Sequence, residues 1–205
     1  MYDRATALVV VDVQNDFADP AGSLYVWGAG EIFPVLNREL VRASAAEATI
    51  AYTQDWHPEV TPHFRTWPMH CVRGTWGARF HPSLLRVQGA TVILKGTRGE
   101  DGYSGFSYVD PASGRTGKTA LENVLRRRGV ARVVVAGLAT DYCVKHTALD
   151  ALAARFEVMV LDDAVRAVDL KPGDGMRAID EIARRGGEIV SSAGFHRLPH
   201  ELGAS

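Results

Sequence analysis

The chain has 205 residues, 46% of them apolar and 23% charged, with 23 basic against 24 acidic side chains and a net charge of −1. These values fit one globular domain with a sizeable core, and they supply no basic surplus for nucleic acid or an anionic membrane. No apolar run is long enough to span a bilayer and no signal-peptide pattern opens the chain; the two cysteines, Cys71 and Cys143, make no disulfide framework, so the expected compartment is the reducing cytoplasm.

Thr6–Val13 (TALVVVDV) is a continuous β-branched run, the mark of a strand buried on both faces. Glu31–Ala46 reads as a helix, because Ile32, Val35, Leu36, Leu40 and Val41 recur at helical spacing. Further strands are expected at Ala48–Gln54, Thr91–Lys95, Ala131–Gly137, Phe156–Leu161 and Glu188–Ser191. Helices are expected at Lys118–Arg128, stopped by Gly129, at Asp141–Arg155 and at Gly173–Arg185. The tail from about residue 193 carries no pattern and reads as partly loose. Strands alternating with helices imply βαβ units, hence an α/β fold with helices on both faces of a mostly parallel sheet.

Residues 55 to 70 (DWHPEVTPHFRTWPMH) concentrate ligand types as no other segment does. Asp55, His57, His63 and His70 supply a carboxylate and imidazoles, which a borderline divalent cation prefers. Pro58, Pro62 and Pro68 make the segment a long loop, and Trp56, Phe64 and Trp67 argue for its burial. The plain alternative is a polar loop whose histidines cap backbone groups. With a single cysteine nearby and no C-x-x-C pair, this is not a zinc-finger pattern.

In parallel sheets ligands bind beyond the carboxyl ends of the strands. Those ends here carry Asp12, then Asp55 and His57, then Lys95, and the run leading to Cys143. Cys143 follows a strand and a small-residue turn, in or near the first turn of a helix that Thr140 or Asp141 can cap. There the helix dipole favours a thiolate, and free amides can stabilise an oxyanion. Asp12, buried at the end of an apolar strand, is the available base, and Lys95 can pair with it and with developing negative charge. The alternatives are an inert buried cysteine and a purely structural Asp12–Lys95 ion pair. Cys71, beside His70, lacks a helix start.

The segments Val-Asp12-Val-Gln-Asn-Asp-Phe17, Asp55-Trp-His57-Pro, Trp67-Pro-Met-His70-Cys-Val-Arg-Gly-Thr, Lys95-Gly-Thr, Tyr103-Ser-Gly-Phe and Gly137-Leu-Ala-Thr-Asp-Tyr-Cys143-Val are together similar to the isochorismatase-like cysteine hydrolases, and within them to the nicotinamidases. The resemblance implies a three-layer α/β/α domain over residues 1–205 with a mostly parallel sheet of about six strands. It implies that Cys143 attacks the carboxamide of nicotinamide, and of pyrazinamide, while Asp12 moves the proton and Lys95 holds the arrangement. Amides of Ala139 and Cys143 would form the oxyanion hole, next to a cis peptide between Leu138 and Ala139. Phe17, Trp67, Tyr103 and Leu138 would surround the substrate ring. Asp55, His57, His63 and His70 would hold one divalent metal that takes the pyridine nitrogen and aims the carboxamide; zinc is expected first, with iron and manganese the other candidates. The product would feed NAD salvage. The small-molecule substrate is the expected partner, nucleic acid and membrane are not, and a homo-oligomer is left open. Residues 97–102 depart from the family's pattern in charge and in glycine content.

Two other readings remain: another amidohydrolase or isochorismatase on the same fold, which needs no metal loop, and a non-catalytic metal- or nicotinamide-binding protein, which needs no Asp12, Lys95 and Cys143.

Overall fold

In the computed structural model, which describes residues 1–197, strand β1 (Thr6–Val11) leads into a short helix α1 (Asn15–Ala18). A 3-10 turn (Ala29–Ile32) and helix α2 (Phe33–Ala45) follow, then β2 (Thr49–Asp55), a 3-10 turn (Pro62–Arg65) and β3 (Thr91–Lys95). A hairpin of β4 (Ser107–Val109) and β5 (Thr116–Lys118) precedes α3 (Leu121–Arg127) and β6 (Arg132–Leu138). A π-helical turn (Thr140–Val144) opens α4 (Lys145–Ala153), and β7 (Glu157–Arg166), α5 (Asp174–Arg184), β8 (Glu188–Val190) and α6 (Ser192–Phe195) complete the described chain.

The main sheet has six strands in the order β3-β2-β1-β6-β7-β8, every pair parallel. The first three strands build outward in one direction and the last three in the other, so the order reverses at the β1–β6 seam. Ligands of open parallel sheets sit outside the carboxyl ends at such a reversal. Along β1, Leu8 and Val10 pack into one layer with Leu36 and Leu40 of α2, while Ala7, Val9 and Val11 join Leu121 of α3 and Ala148 of α4. Side chains alternate across the pleat, so the all-apolar run read from the sequence is what two covered faces require. Each fully buried Leu or Val contributes about 1.5–3 kcal/mol.

Several elements differ from the sequence expectation, each for a local reason. The helix expected from residue 118 begins at Leu121, because Lys118 pairs with Ser107 in the hairpin and Thr119 Oγ1 accepts the Leu121 amide. The strand expected to stop at Leu161 runs on to Arg166 past Asp162 and Asp163. Asp163 serves a purpose there: its carboxylate accepts the Ser192 amide and hydroxyl at 2.9 and 2.7 Å, which starts α6. The tail is therefore not loose at its start, since Phe195 is fully buried; its remainder, residues 198–205, lies outside the described residues. Gly137 is fixed by the seam: its φ is +117°, and a Cβ there would come 2.2 Å from the Val11 carbonyl oxygen. Among the described residues no helix is long and apolar enough to cross a membrane.

Candidate active site and metal centre

At the carboxyl end of β1 the chain turns sharply at Asp12, whose φ of +47° lies in the left-handed region that Asp tolerates better than most residues. Its carboxylate is fully buried. Thr53 Oγ1, on β2, donates to Asp12 Oδ1 at 2.6 Å, and Lys95 Nζ, at the end of β3, lies 2.7 Å from Oδ2. Burial pushes the Asp12 carboxyl up, and Lys95 pulls it part of the way back. Lys95 is hemmed in further: its Nζ lies 2.9 Å from Asp55 Oδ1, donates to the Tyr103 carbonyl at 3.1 Å, and lies 3.6 Å from Cys143 Sγ. Burial works against its charge, but Asp12 and Asp55 outweigh it and hold the Lys95 pKa well above its ordinary value.

The Leu138–Ala139 peptide at the end of β6 is cis. The next residues form the π-helical turn, in which the amides of Tyr142 and Val144 both donate to the Ala139 carbonyl at 3.1 Å. The Ala139 and Cys143 amides take no part in these bonds. The expected capping by Thr140 or Asp141 is not found. Asp141 instead turns back and accepts the amides of Val168 and Asp169 at 3.0 and 2.9 Å, tying the cysteine turn to the loop after β7. Nor does the helix start dominate the thiol: burial pushes Cys143 well above the ordinary thiol range, with Lys95 opposing. Burial thus raises both Cys143 and Asp12, which suits the pair to proton transfer between them. Ligand atoms of Asp12, Asp55 and Cys143 all lie within 4.8 Å of one another. Cys71 is also buried and pushed up, and it faces the Gly77 carbonyl instead of the cavity.

Beside this centre, His57, His63 and His70 bring one nitrogen each to within 4.8 Å of one another. Asp55 Oδ2 lies 3.9 Å from His57 Nε2. His70 Nδ1 donates to the Pro68 carbonyl at 2.7 Å, which leaves the lone pair on Nε2. Both ring nitrogens of His57 are buried with no hydrogen-bond partner. Burial pushes its pKa down to about 4 and lowers that of His70 as well, so both rings are neutral near pH 7. A buried imidazole without partners is costly unless something coordinates it, and this donor set fits a divalent cation. Gly96 makes room for the ring: a Cβ there, at φ +70°, would lie 2.4 Å from His57 Nδ1.

A cavity of about 250 Å³ opens onto both centres. Asp55, His63, His70 and Cys143 line it, and so do Phe17, Trp67, Tyr103 and Leu138, the positions expected around a flat ring, and Ala139, expected to offer its amide to an oxyanion. Trp67 Nε1 donates to Tyr103 Oη at 3.0 Å, and Tyr142 packs edge-on against Trp67 with ring centres 4.9 Å apart.

Tyr142 was not anticipated, nor were two buried residues of the α1 segment. Gln14 brackets Asp55, donating to its carbonyl and accepting its amide, both at 2.7 Å. Asp16 accepts the amide of Cys71 at 2.6 Å, directly after His70. Both stand in the Val-Asp12-Val-Gln-Asn-Asp-Phe17 stretch that carries the family resemblance, but nothing in it names their distant partners.

A sequence model described as the isochorismatase domain matches residues 6–194. The nicotinamidase of Acinetobacter baylyi is 37% identical, over 91% of this chain and 92% of its own. The crystal structure of the pyrazinamidase of Pyrococcus horikoshii in complex with zinc is 42% identical, with a TM-score of 0.81, covering 91% of this chain and 99% of its own. The L. infantum protein PnC1, solved with nicotinate, is 33% identical with a TM-score of 0.83, over 95% and 96% of the two chains.

Proposed function

The chain belongs to the isochorismatase family, and from that premise we propose that it is a nicotinamidase, hydrolysing nicotinamide to nicotinate and ammonia and acting on pyrazinamide as well. The observation that carries the reading is one cavity lined by Cys143 together with Asp55, His63 and His70, with Lys95 in contact with both Asp12 and Cys143 and His57 within 4.8 Å of the other two imidazoles. The first centre alone would suit any cysteine amidohydrolase of this fold. The second supplies what a pyridine or pyrazine nitrogen can be held by.

Asp12 takes the Cys143 proton as sulfur forms a bond to the carboxamide carbon. The oxygen that gains charge is met by the amides of Ala139 and Cys143. Asp12 then hands its proton to the amide nitrogen, the C–N bond breaks, and ammonia leaves a thioester on Cys143. Water attacks the thioester carbon and gives a proton to Asp12; nicotinate departs as that proton returns to sulfur. Lys95 keeps its charge throughout and holds Asp12 toward the sulfur. Phe17, Trp67, Tyr103 and Leu138 confine the ring.

Asp55, His57, His63 and His70 would hold one divalent cation, which we assign as zinc on the nitrogen-rich donor set. Held there, such a cation would supply a Lewis-acid anchor for the ring nitrogen, so that these four residues would orient the substrate toward Cys143. We read the chain as a single catalytic domain, working in a reducing cytoplasm where Cys71 and Cys143 stay free, and supplying nicotinate for NAD salvage.

Ammonia release from nicotinamide tests the reading, with and without a chelator and with Cys143→Ala as the control. Release from nicotinamide, none from N-carbamoyl compounds, and none from Cys143→Ala are expected. Full activity of Cys143→Ala would sink the mechanism; a preference for N-carbamoyl substrates would move the chain to another branch of the family.

A further inference from the structure

We propose that Asp101 is a positioning residue for the metal centre: its carboxylate fixes the tautomer and the aim of His63. The inference rests on the metal-binding reading above and adds to it a residue outside the donor set.

Asp101 Oδ1 lies 2.7 Å from His63 Nδ1. A carboxylate only accepts, so Nδ1 carries the ring proton and the lone pair falls on Nε2. His63 stands on the 3-10 turn Pro62–Arg65, with its ring centre 4.8 Å from that of His57 and 5.3 Å from that of His70. His70 obtains the same tautomer from the Pro68 carbonyl, but no backbone carbonyl does this for His63. A carboxylate holding the far nitrogen of a ligating imidazole raises its basicity and removes its freedom to rotate.

The carboxylate is itself held. Asp101 and Val109 exchange both backbone hydrogen bonds, at 2.8 and 2.6 Å, and the Gly102 amide donates to Oδ1 at 2.8 Å. Gly102 permits this turn: its φ is +128°, and a Cβ would crowd Tyr108 Cα at 3.3 Å. The following residue, Tyr103, gives its carbonyl to Lys95 and its hydroxyl to Trp67. One short segment thus secures an imidazole on one side and the ammonium on the other. The Asp101 side chain is 53% exposed, so no core packing explains its placement, and its loss leaves the core intact.

Zinc affinity of the full-length, zinc-loaded protein, titrated with a competing chromophoric chelator, tests this. Asp101→Ala is expected to weaken zinc binding by about 10–100-fold, the usual effect of removing such a partner. Asp101→Asn, which keeps an acceptor oxygen without the charge, should recover part of the loss. His63→Ala should lose at least as much as Asp101→Ala, and adding Asp101→Ala to it should cost nothing further. Unchanged affinity in Asp101→Ala, or additive losses in the double variant, would overturn the proposal while leaving His63 a ligand. Unchanged affinity in His63→Ala would instead remove His63 from the donor set, and the role of Asp101 with it.

Discussion

Lys95 Nζ lies 2.9 Å from Asp55 Oδ1, and this contact joins the thiol centre to the imidazole cluster. Asp55 divides its oxygens between the two, with Oδ2 turned toward His57. Burial would raise its pKa, yet Lys95, His57 and His70 hold it well below the usual carboxylate range, so it stays ionised for both neighbours.

Lys95→Met therefore leaves Asp12 and Asp55 buried together without a cation. Removing one partner of a buried pair costs about 3–5 kcal/mol, so a large fall in melting temperature should accompany loss of ammonia release. A variant that melts with the parent protein would show that Lys95 is not the charge balance for both carboxylates.

The thiol sets a pH dependence. Burial raises the Cys143 pKa in the folded chain, so the folded state holds the proton more tightly than the unfolded one. Its contribution to stability is intact below the ordinary thiol value of about 8.5 and declines above it, as pH rises toward the folded value. Correspondingly, alkylation of Cys143 by iodoacetamide, followed by peptide mass, should still be climbing beyond pH 9. A plateau below pH 7 would indicate a preformed thiolate instead.

Chelation should separate binding from reactivity. Substrate orientation depends on the imidazole cluster, whereas the thiol's partners are Asp12 and Lys95. Metal removal should raise KM and depress turnover of nicotinamide, while iodoacetamide labels Cys143 at an unchanged rate. Loss of labelling on chelation would mean that the two centres are not independent in this way.

Gly96→Ala should act on the metal centre alone. The added Cβ meets His57 Nδ1 at 2.4 Å, in a backbone conformation that costs an L-residue roughly 1–2 kcal/mol. Substoichiometric metal by elemental analysis and a modest fall in melting temperature are expected. Full metal content would show that the ring can move aside and still coordinate.

Much of this site was legible because buried strands in a parallel sheet announce themselves, and the residue that ends each one lands on the ligand edge. That rule puts Asp12, Asp55 and Lys95 on one edge, and the structure brings the three into contact. Cys143 follows a strand and a turn, as its place in the sequence implies, but its burial is not legible there, and burial raises a thiol's pKa where a helix start lowers it. Gln14, Asp16 and Asp101 were not legible as parts of the site. Their roles are hydrogen bonds to segments distant in the chain, and nothing in a local pattern encodes such a partner. The π-helical turn and the continuation of β7 past Asp162 and Asp163 were hidden for the same reason: tertiary bonds, from Asp141 to residues 168–169 and from Asp163 to Ser192, override local propensity.

The β1–β6 seam also divides the reagents by order of synthesis. Asp12, Lys95 and the three clustered imidazoles all come from the half of the chain that ends at Lys95, and Cys143 comes from the other half. Thr6 must find Arg132, and Val11 must find Gly137, the kind of distant pairing that is slow to form. Because Asp12 follows β1 and Cys143 follows β6, whatever loosens that one register parts the sulfur from the carboxylate beside it.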